Sequence, residues 1–273
     1  MGSVRFDVNC SILFTGLPLL ERPAAAAAAG FSGVEFWWPF EHAVPDDKEA
    51  DAFVRAVEDA GVQLVGLNFA DDIPQGRGLF SRPSDRVRLR DNLDAAVGIA
   101  DRLGCRALNA LYGNRVGGID AQQDALALEN LALAATKAAG IGAVVLVEAL
   151  NSYESPSYPL VSVKGAVEVI EAVGEPNVRF LCDLYHLARM GEDLRSALRH
   201  PLTGHVQIAD NPGRGRPGTG EIPFRELLDG YDGWVGLEYK DPEPDFEWIA
   251  EWSPVPESGS LRNQRRHEAG HDH

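Results

Sequence analysis

Eight short apolar runs alternate with helical patterns along almost the whole chain, and this alternation constrains the fold more than any other feature. The runs are predicted strands at 5–10, 33–38, 62–69, 105–111, 143–150, 178–184, 205–210 and 234–240. Strands that alternate with helices pair in parallel, and several runs are almost continuously apolar, as strands buried on both faces must be. Eight such units predict an α/β fold, a single (β/α)8 TIM barrel, with a doubly wound open sheet as the alternative.

Two of the helical segments between these strands have residues at their ends that are typical of helix caps. The segment 84–104 repeats apolar residues at helical spacing, and Ser84 is predicted to be its N-cap. A second helix is predicted over 120–140, capped by Asp120 and ended by Gly140. These helices are expected to cover the outside of the barrel.

The domain organisation follows from where the apolar periodicity ends. Residues 1–252 are predicted to form one TIM-barrel catalytic domain, which closes with a short helix at 244–252. Residues 253–273 have the polar composition of a disordered tail. The histidines of that tail are interpreted as solvated rather than as a metal site.

Composition excludes some partners. With 41 acidic and 25 basic residues the net charge is −16, which argues against a nucleic-acid partner but not against a small anionic substrate. Neither a signal peptide nor a membrane-spanning stretch is recognised, so we expect no membrane partner and a cytoplasmic location. Cys10, Cys105 and Cys182 fit no zinc or disulfide pattern and are predicted to be reduced core residues.

A glycine-rich segment after the seventh strand imitates a dinucleotide fingerprint. Gly213, Gly215 and Gly218 spell G-x-G-x-x-G. Pro217 and Pro223 leave only a two-turn helix after it, and six residues of loop separate the glycines from that helix. A fingerprint requires a full helix whose N-terminus meets the pyrophosphate, so we interpret the segment as a loop serving other chemistry.

Four polar side chains stand near the carboxyl ends of consecutive strands. They are Glu148, Asp183, Gln207 and Glu238, in strands five to eight. A barrel brings these strand ends to one mouth, where barrel enzymes keep their chemistry. Carboxylate and amide oxygens suit a hard divalent ion, Mg²⁺ or Mn²⁺, and the set lacks the cysteine or paired histidine ligands typical of zinc.

Other candidates surround these four. His186 follows Asp183 closely and is a candidate hydrogen-bond donor to a substrate oxygen. Arg214, or Arg216 in the same loop, could pair with a substrate carboxylate, and Arg77 is a further anion-contact candidate. His205 is interpreted as structural. Of Trp37 and Trp38, one is expected to line the pocket and the other to pack under helices.

Longer stretches resemble the hydroxypyruvate isomerase family of xylose-isomerase-like barrels. They are "NCSILFTGLPLLERPAAAAAAGFSGVEFWWPF", "FLCDLYHLARMGEDL", "HVQIADNPGRGRPGTGEI" and "DGYDGWVGLEYK", and the likeness extends to about residue 250. The resemblance implies a metal held by Glu148, Asp183, Gln207 and Glu238. It implies Glu148 and Glu238 as catalytic proton acceptor and donor, and His186 and Arg214 as substrate-binding residues. Gly215 and Arg216 depart from the family's usual histidine and acid.

The resemblance implies a metal-dependent isomerase that interconverts hydroxypyruvate and tartronate semialdehyde through an enediolate. An isomerase of four-carbon 2-oxo acids and a ketose 3-epimerase remain open as alternatives, as does a non-catalytic accessory barrel. A barrel endonuclease is disfavoured because the chain lacks several metal-binding histidines and a basic surface. Barrels of this kind often associate through their helices, so a homo-oligomer stays open.

Overall fold

The computed structural model describes residues 4–73 and 76–252. Eight parallel strands close into a barrel in sequence order, which confirms the predicted TIM barrel and rules out the doubly wound sheet. The strands are β1 (Arg5–Asn9), β2 (Gly33–Phe36), β3 (Gln63–Asn68), β4 (Ala107–Asn109), β5 (Val144–Glu148), β6 (Val178–Asp183), β7 (Thr203–Ile208) and β8 (Trp234–Leu237).

Closure of the barrel depends on pairing between the first and last strands. Arg5 to Val8 of β1 lie in register with Trp234 to Leu237 of β8. On the other side of the barrel, Asp183 at the end of β6 is the register partner of Gln207 on β7. Parallel pairing all around the ring therefore brings the carboxyl ends of the strands to one mouth.

Helices cover the barrel on the outside, and all four of the longest bury an apolar face. The helices are α1 (Arg22–Ala28), α2 (Asp47–Ala60), α3 (Arg86–Arg102), α4 (Asp120–Ala139), α5 (Val163–Val173), α6 (Leu184–Arg189), α7 (Leu194–Leu198) and α8 (Phe224–Leu227). None of the helices in the described ranges is long and apolar enough to cross a membrane.

Two of the predicted helix caps are wrong. The chain enters α3 through a 3-10 turn at Pro83–Asp85, so Ser84 lies within that turn and its hydroxyl donates to Asp85. Asp120 is the first residue of α4 rather than its cap, because Ile119 occupies the N-cap position without a side-chain acceptor. Gly140 ends α4 as predicted.

The last element packs against the first strand through aromatic contacts. The last element is a 3-10 helix, Glu247–Trp252, where the sequence predicts a short final helix. Trp248 and Trp252 of this element pack against Phe6 of β1, with ring centroids 5.9 and 5.5 Å from it. Cys10, Cys105 and Cys182 are buried and free, which confirms them as reduced core residues. The predicted tail, 253–273, lies outside the described residues.

Candidate functional site

The four strand-end side chains of the sequence prediction lie buried at the carboxyl end of the barrel. Glu148 and Asp183 are the last residues of β5 and β6, Gln207 lies one residue before the end of β7, and Glu238 directly follows β8. Glu148 and Glu238 line one narrow pocket with a cavity volume of about 20 Å³. That is room for about one water-sized ligand, whereas sites for whole small molecules hold about 300 Å³ or more.

Glu238 is held by neutral and charged donors from the end of β1, from the residue after β2 and from the loop after β7. Its Oε1 accepts hydrogen bonds from Asn9 Nδ2 at 3.0 Å and from Trp37 Nε1 at 2.7 Å. Arg214 donates from Nη2 to Oε2, and from Nε to the Glu238 carbonyl oxygen at 3.1 Å. The Arg214 guanidinium is thus engaged with Glu238 on two of its nitrogens, and it also lies over the Tyr185 ring.

Glu148 is oriented from the neighbouring strand. Asn109, which ends β4, donates from Nδ2 to Glu148 Oε2 at 2.9 Å. The other oxygen, Oε1, lies 4.0 Å from His186 Nε2. Because Asn109 engages one oxygen only, Oε1 is the atom of Glu148 that is available to a bound molecule.

Asp183 ends its strand and starts the following helix. Its Oδ1 caps α6 by accepting from the backbone N–H groups of Tyr185 at 2.8 Å and His186 at 3.2 Å. Its Oδ2 lies 3.7 Å from His186 Nε2. One carboxylate oxygen is therefore structural, and the other faces the mouth.

His186 presents a defined ring nitrogen to these carboxylates. The backbone N–H of Asn151 donates to His186 Nδ1 at 3.1 Å, which makes Nδ1 an acceptor and leaves the proton on Nε2. Burial, together with the positive charges of Arg214 and Arg77, holds the pKa of His186 well below its ordinary value. The ring is therefore neutral near neutral pH, with Nε2–H directed toward Glu148 and Asp183.

Gln207 is held from below by a residue that the sequence prediction missed. Its Nε2 donates to Glu35 Oε2 at 2.7 Å, whereas its Oε1 is buried and accepts no hydrogen bond from the described residues. Glu35 in turn contacts His205 Nε2, and Gly236 leaves room for it, because a Cβ there would lie 2.6 Å from Glu35 Oε1. His205 therefore has the structural position expected of it, and the amide oxygen of Gln207 remains free for a ligand.

The electrostatics of the mouth favour a cation. Burial and the charges of Glu238 and Asp183 raise the pKa of Glu148 well above its ordinary value. Burial and the Glu238 charge raise the pKa of Asp183 to about 7, and burial raises that of Glu238 although Arg214 opposes the shift. A divalent cation would oppose these shifts, because its charge stabilises the ionised carboxylates.

The donor set also fits a metal ion. Ligand atoms of Glu148 and Asp183 lie within 4.8 Å of one another and of His186, whose Nε2–H is a donor rather than a ligand, and the unpartnered Gln207 oxygen adds a neutral acceptor. A second group with the same mutual spacing, Asp7, Glu35 and His205, lies deeper in the barrel. The oxygen-rich set at the mouth is the one expected of Mg²⁺ or Mn²⁺.

The glycine-rich loop after β7 folds around a carboxylate of its own chain. Asp210 is fully buried and accepts hydrogen bonds from the backbone N–H groups of Asn211, Gly218, Gly220 and Ile222. These backbone N–H groups of the loop therefore bind Asp210 rather than a ligand. The same loop places Arg214 next to Glu238. Arg216 of this loop does not line the pocket that holds the two glutamates.

The sequence prediction missed several site residues, although they show the same pattern as the predicted ones: a polar side chain in or at the end of an apolar strand. Asn9 and Asn109 are polar residues at the ends of β1 and β4, and Glu35 is an acid within an otherwise apolar strand. Trp37 lines the pocket, as expected of one member of the pair, and Trp38 packs edge-on against Phe40 in the loop between β2 and α2.

A closed parallel barrel with buried acids at the carboxyl ends of its strands defines a TIM-barrel enzyme. The family model described as xylose isomerase-like TIM barrel matches residues 23–254. A solved structure from Brucella melitensis, titled AP endonuclease, family 2, superposes with a TM-score of 0.82 at 35% identity and covers 91% of this chain and 98% of its own.

Similar proteins with assigned names indicate which kind of TIM-barrel enzyme this is. A Streptomyces coelicolor protein named "Putative hydroxypyruvate isomerase" is 59% identical over 90% of this chain and 95% of its own length. The Escherichia coli hydroxypyruvate isomerase is 34% identical, over 91% and 98%. A 2-oxo-tetronate isomerase from Cupriavidus necator is also 34% identical, over 86% and 92%. The chain belongs to the xylose isomerase-like TIM barrel family, within its hydroxypyruvate isomerase branch, and is an enzyme of the isomerase class.

Proposed function

We propose that this enzyme is a metal-dependent isomerase that interconverts hydroxypyruvate and tartronate semialdehyde (2-hydroxy-3-oxopropanoate). The observation that carries the proposal is the pair of buried glutamates, Glu148 and Glu238, that line one small pocket. Isomerisation of a 2-hydroxy carbonyl compound needs one group to remove a proton from carbon and one to return a proton to the neighbouring carbon.

The chemistry assigns a proton transfer to each glutamate. One carboxylate takes a proton from the CH2OH carbon of hydroxypyruvate, which leaves an enediolate. The other glutamate gives a proton to the former carbonyl carbon, and an oxygen-bound proton is redistributed, so that the product is an aldehyde with a hydroxyl on the central carbon. Glu148 Oε1 is the available atom on one side, since Asn109 engages only Oε2.

A general acid or base works best when its pKa approaches the working pH; burial raises the pKa values of Glu148 and Glu238, and a bound cation would oppose that rise. His186 would donate from Nε2 to a substrate oxygen. Arg214 would hold Glu238 in place and reach substrate with the nitrogen that Glu238 does not engage.

The residues that would hold a divalent Mg²⁺ or Mn²⁺ ion are Glu148, Asp183, Gln207 and Glu238. When bound, such an ion supplies the positive charge that stabilises an enediolate. A carboxylate oxygen that accepts one hydrogen bond keeps a second lone pair, so it could also bind metal while the other oxygen faces substrate. The fit of the ion rests on the unpartnered Gln207 oxygen and the raised carboxyl pKa values.

Metal binding can be tested without activity. We expect EDTA-treated protein to bind one Mn²⁺ by titration calorimetry, and its thermal midpoint to rise with added Mn²⁺. Gln207→Met should weaken the affinity about tenfold or more, since it removes a neutral oxygen ligand. Gln63→Met, at the exposed start of β3, is the matched control and should bind Mn²⁺ like wild type. Equal affinities for all three proteins would contradict the assignment of Gln207.

A four-carbon 2-oxo acid is the second candidate substrate, favoured by the similarity to 2-oxo-tetronate isomerase. The same two glutamates would serve it, since only the remote end of the substrate differs. The ratio of kcat/KM for hydroxypyruvate to that for 2-oxo-tetronate decides between them, and we expect a ratio above one because the pocket is small.

A further inference from the structure

The pocket is lined by two arginines, and only one of them has its charge compensated. The Arg214 guanidinium donates hydrogen bonds to the side-chain carboxylate and to the backbone carbonyl oxygen of Glu238. Arg77, from the loop after β3, lines the same pocket and is half-buried. Within residues 4–73 and 76–252, the structure gives the Arg77 side chain neither an ion pair nor a hydrogen bond. Nearby Arg82 and Arg88, by contrast, both pair with Asp72 and Asp85.

The backbone of Arg77 is held in an unusual conformation by its neighbours. Its φ of 50° lies in the left-handed region, which non-glycine residues rarely adopt. The flanking glycines fix it there: the Gly76 carbonyl accepts from Asn114 N at 2.8 Å, and Gly78 pairs with Tyr112 in an antiparallel bridge. Gly78 itself has a φ of 106°, and a Cβ there would lie 1.9 Å from the Leu111 carbonyl oxygen.

Such conformations persist when the surroundings determine them, and they concentrate at binding and catalytic sites. Arg77 is therefore an uncompensated cation, held by its backbone at a pocket that also contains the carboxylates of Glu148 and Glu238.

We propose that Arg77 binds the carboxylate of the substrate and makes this site selective for hydroxy-oxo acids over uncharged ketoses. This inference rests on the proposed function, since it assigns one end of the same substrate. A planar guanidinium matches a carboxylate with two parallel hydrogen bonds. With its carboxylate on Arg77, a small acid would extend its hydroxy-carbonyl end toward Glu148 and Glu238.

Arg77 is better suited to this role than Arg214. Removal of Arg214 would disturb Glu238 whatever the substrate, because Arg214 holds that glutamate directly. Removal of Arg77 leaves the hydrogen bonds of both glutamates unchanged, since neither receives one from it. Arg77 variants therefore separate recognition of the acid from the proton transfers.

The test compares Arg77→Met and Arg77→Lys with Arg88→Met, an arginine of the same region that does not line the pocket. The substrates are hydroxypyruvate and dihydroxyacetone, which replaces the carboxylate with CH2OH. We expect Arg77→Met to raise KM for hydroxypyruvate by about tenfold to a hundredfold. Arg77→Lys should raise it by less, because lysine keeps the positive charge but cannot form the two parallel hydrogen bonds of a guanidinium. Exchange of dihydroxyacetone protons in D2O and the affinity for Mn²⁺ should stay at wild-type levels, as should every property of Arg88→Met.

Ligand-detected NMR of hydroxypyruvate, with Mg²⁺ present, keeps the test independent of turnover. Binding to wild type that is lost in Arg77→Met, without turnover by either protein, would support Arg77 and overturn the proposed reaction. Turnover of hydroxypyruvate with an unchanged KM in Arg77→Met would overturn the role of Arg77 alone. Equal losses for acid and ketose would also overturn it, and absence of acid binding to wild type would overturn both proposals.

Discussion

Glu148→Gln is expected to lower kcat for hydroxypyruvate isomerisation by about 10²–10⁴-fold, the usual contribution of a general acid or base. The amide keeps the size of the side chain and can keep the hydrogen bond from Asn109, which is 2.9 Å long in the wild type. It cannot accept a carbon-bound proton, however, so the loss falls on the chemical step. The same reasoning applies to Glu238→Gln, although that change also leaves Arg214 without its carboxylate.

The measurement is kcat at saturating substrate and saturating Mn²⁺, with folding checked by circular dichroism. Saturating metal separates loss of the proton acceptor from weaker metal binding. Glu129→Gln is the control, because Glu129 lies on α4 and pairs at the surface with Arg86 and Arg90. If folded Glu148→Gln and Glu238→Gln both turned over substrate at the wild-type rate, the assignment of the two glutamates would be wrong.

Arg214→Met is expected to lower the free energy of unfolding by about 3–5 kcal/mol in EDTA, since it leaves a buried charge without its partner. Arg214 and Glu238 are only 6% and 4% exposed. The Glu238 carboxylate would keep Asn9 and Trp37 as donors but lose its compensating positive charge. Added Mn²⁺ should recover part of the loss, because a cation at the mouth replaces that charge.

Urea denaturation with and without Mn²⁺ measures this effect. Arg225→Met is the matched control: its partner Glu251 is exposed, and such pairs contribute about 0–1 kcal/mol. The double variant Arg214→Met/Glu238→Gln should lose less than the sum of its single variants, because the two residues act as a pair. A loss no larger than that of Arg225→Met would show that the pair does not hold the site together.

The strand pattern and the strand-end acids were accessible from sequence for a physical reason. A strand buried on both faces must be apolar, so a carboxylate such as Glu148 or Asp183 at its end is conspicuous. Closure of the barrel then follows from the number of βα units, and it brings those ends to one mouth.

The parts that escaped prediction depend on three-dimensional proximity. Nothing in the spacing shows that Glu35 on β2 reaches Gln207 on β7, since the pair is joined only across the barrel interior. Likewise Arg214 resembles a free loop arginine until the fold of the loop around Asp210 brings it to Glu238. The helix caps at Ser84 and Asp120 were wrong because each residue matches a common capping preference, whereas the path of the preceding chain determines which residue occupies the cap.

Proton NMR of hydroxypyruvate in D2O tests the central proposal most directly. The protein is first treated with EDTA, and Mg²⁺ or Mn²⁺ is then restored. We expect deuterium to enter the CH2OH carbon, and tartronate semialdehyde to appear, only after the metal is returned. Metal-dependent exchange without that product would retain the proton chemistry and contradict hydroxypyruvate as the substrate. No exchange with metal bound would contradict the proposed isomerase mechanism itself.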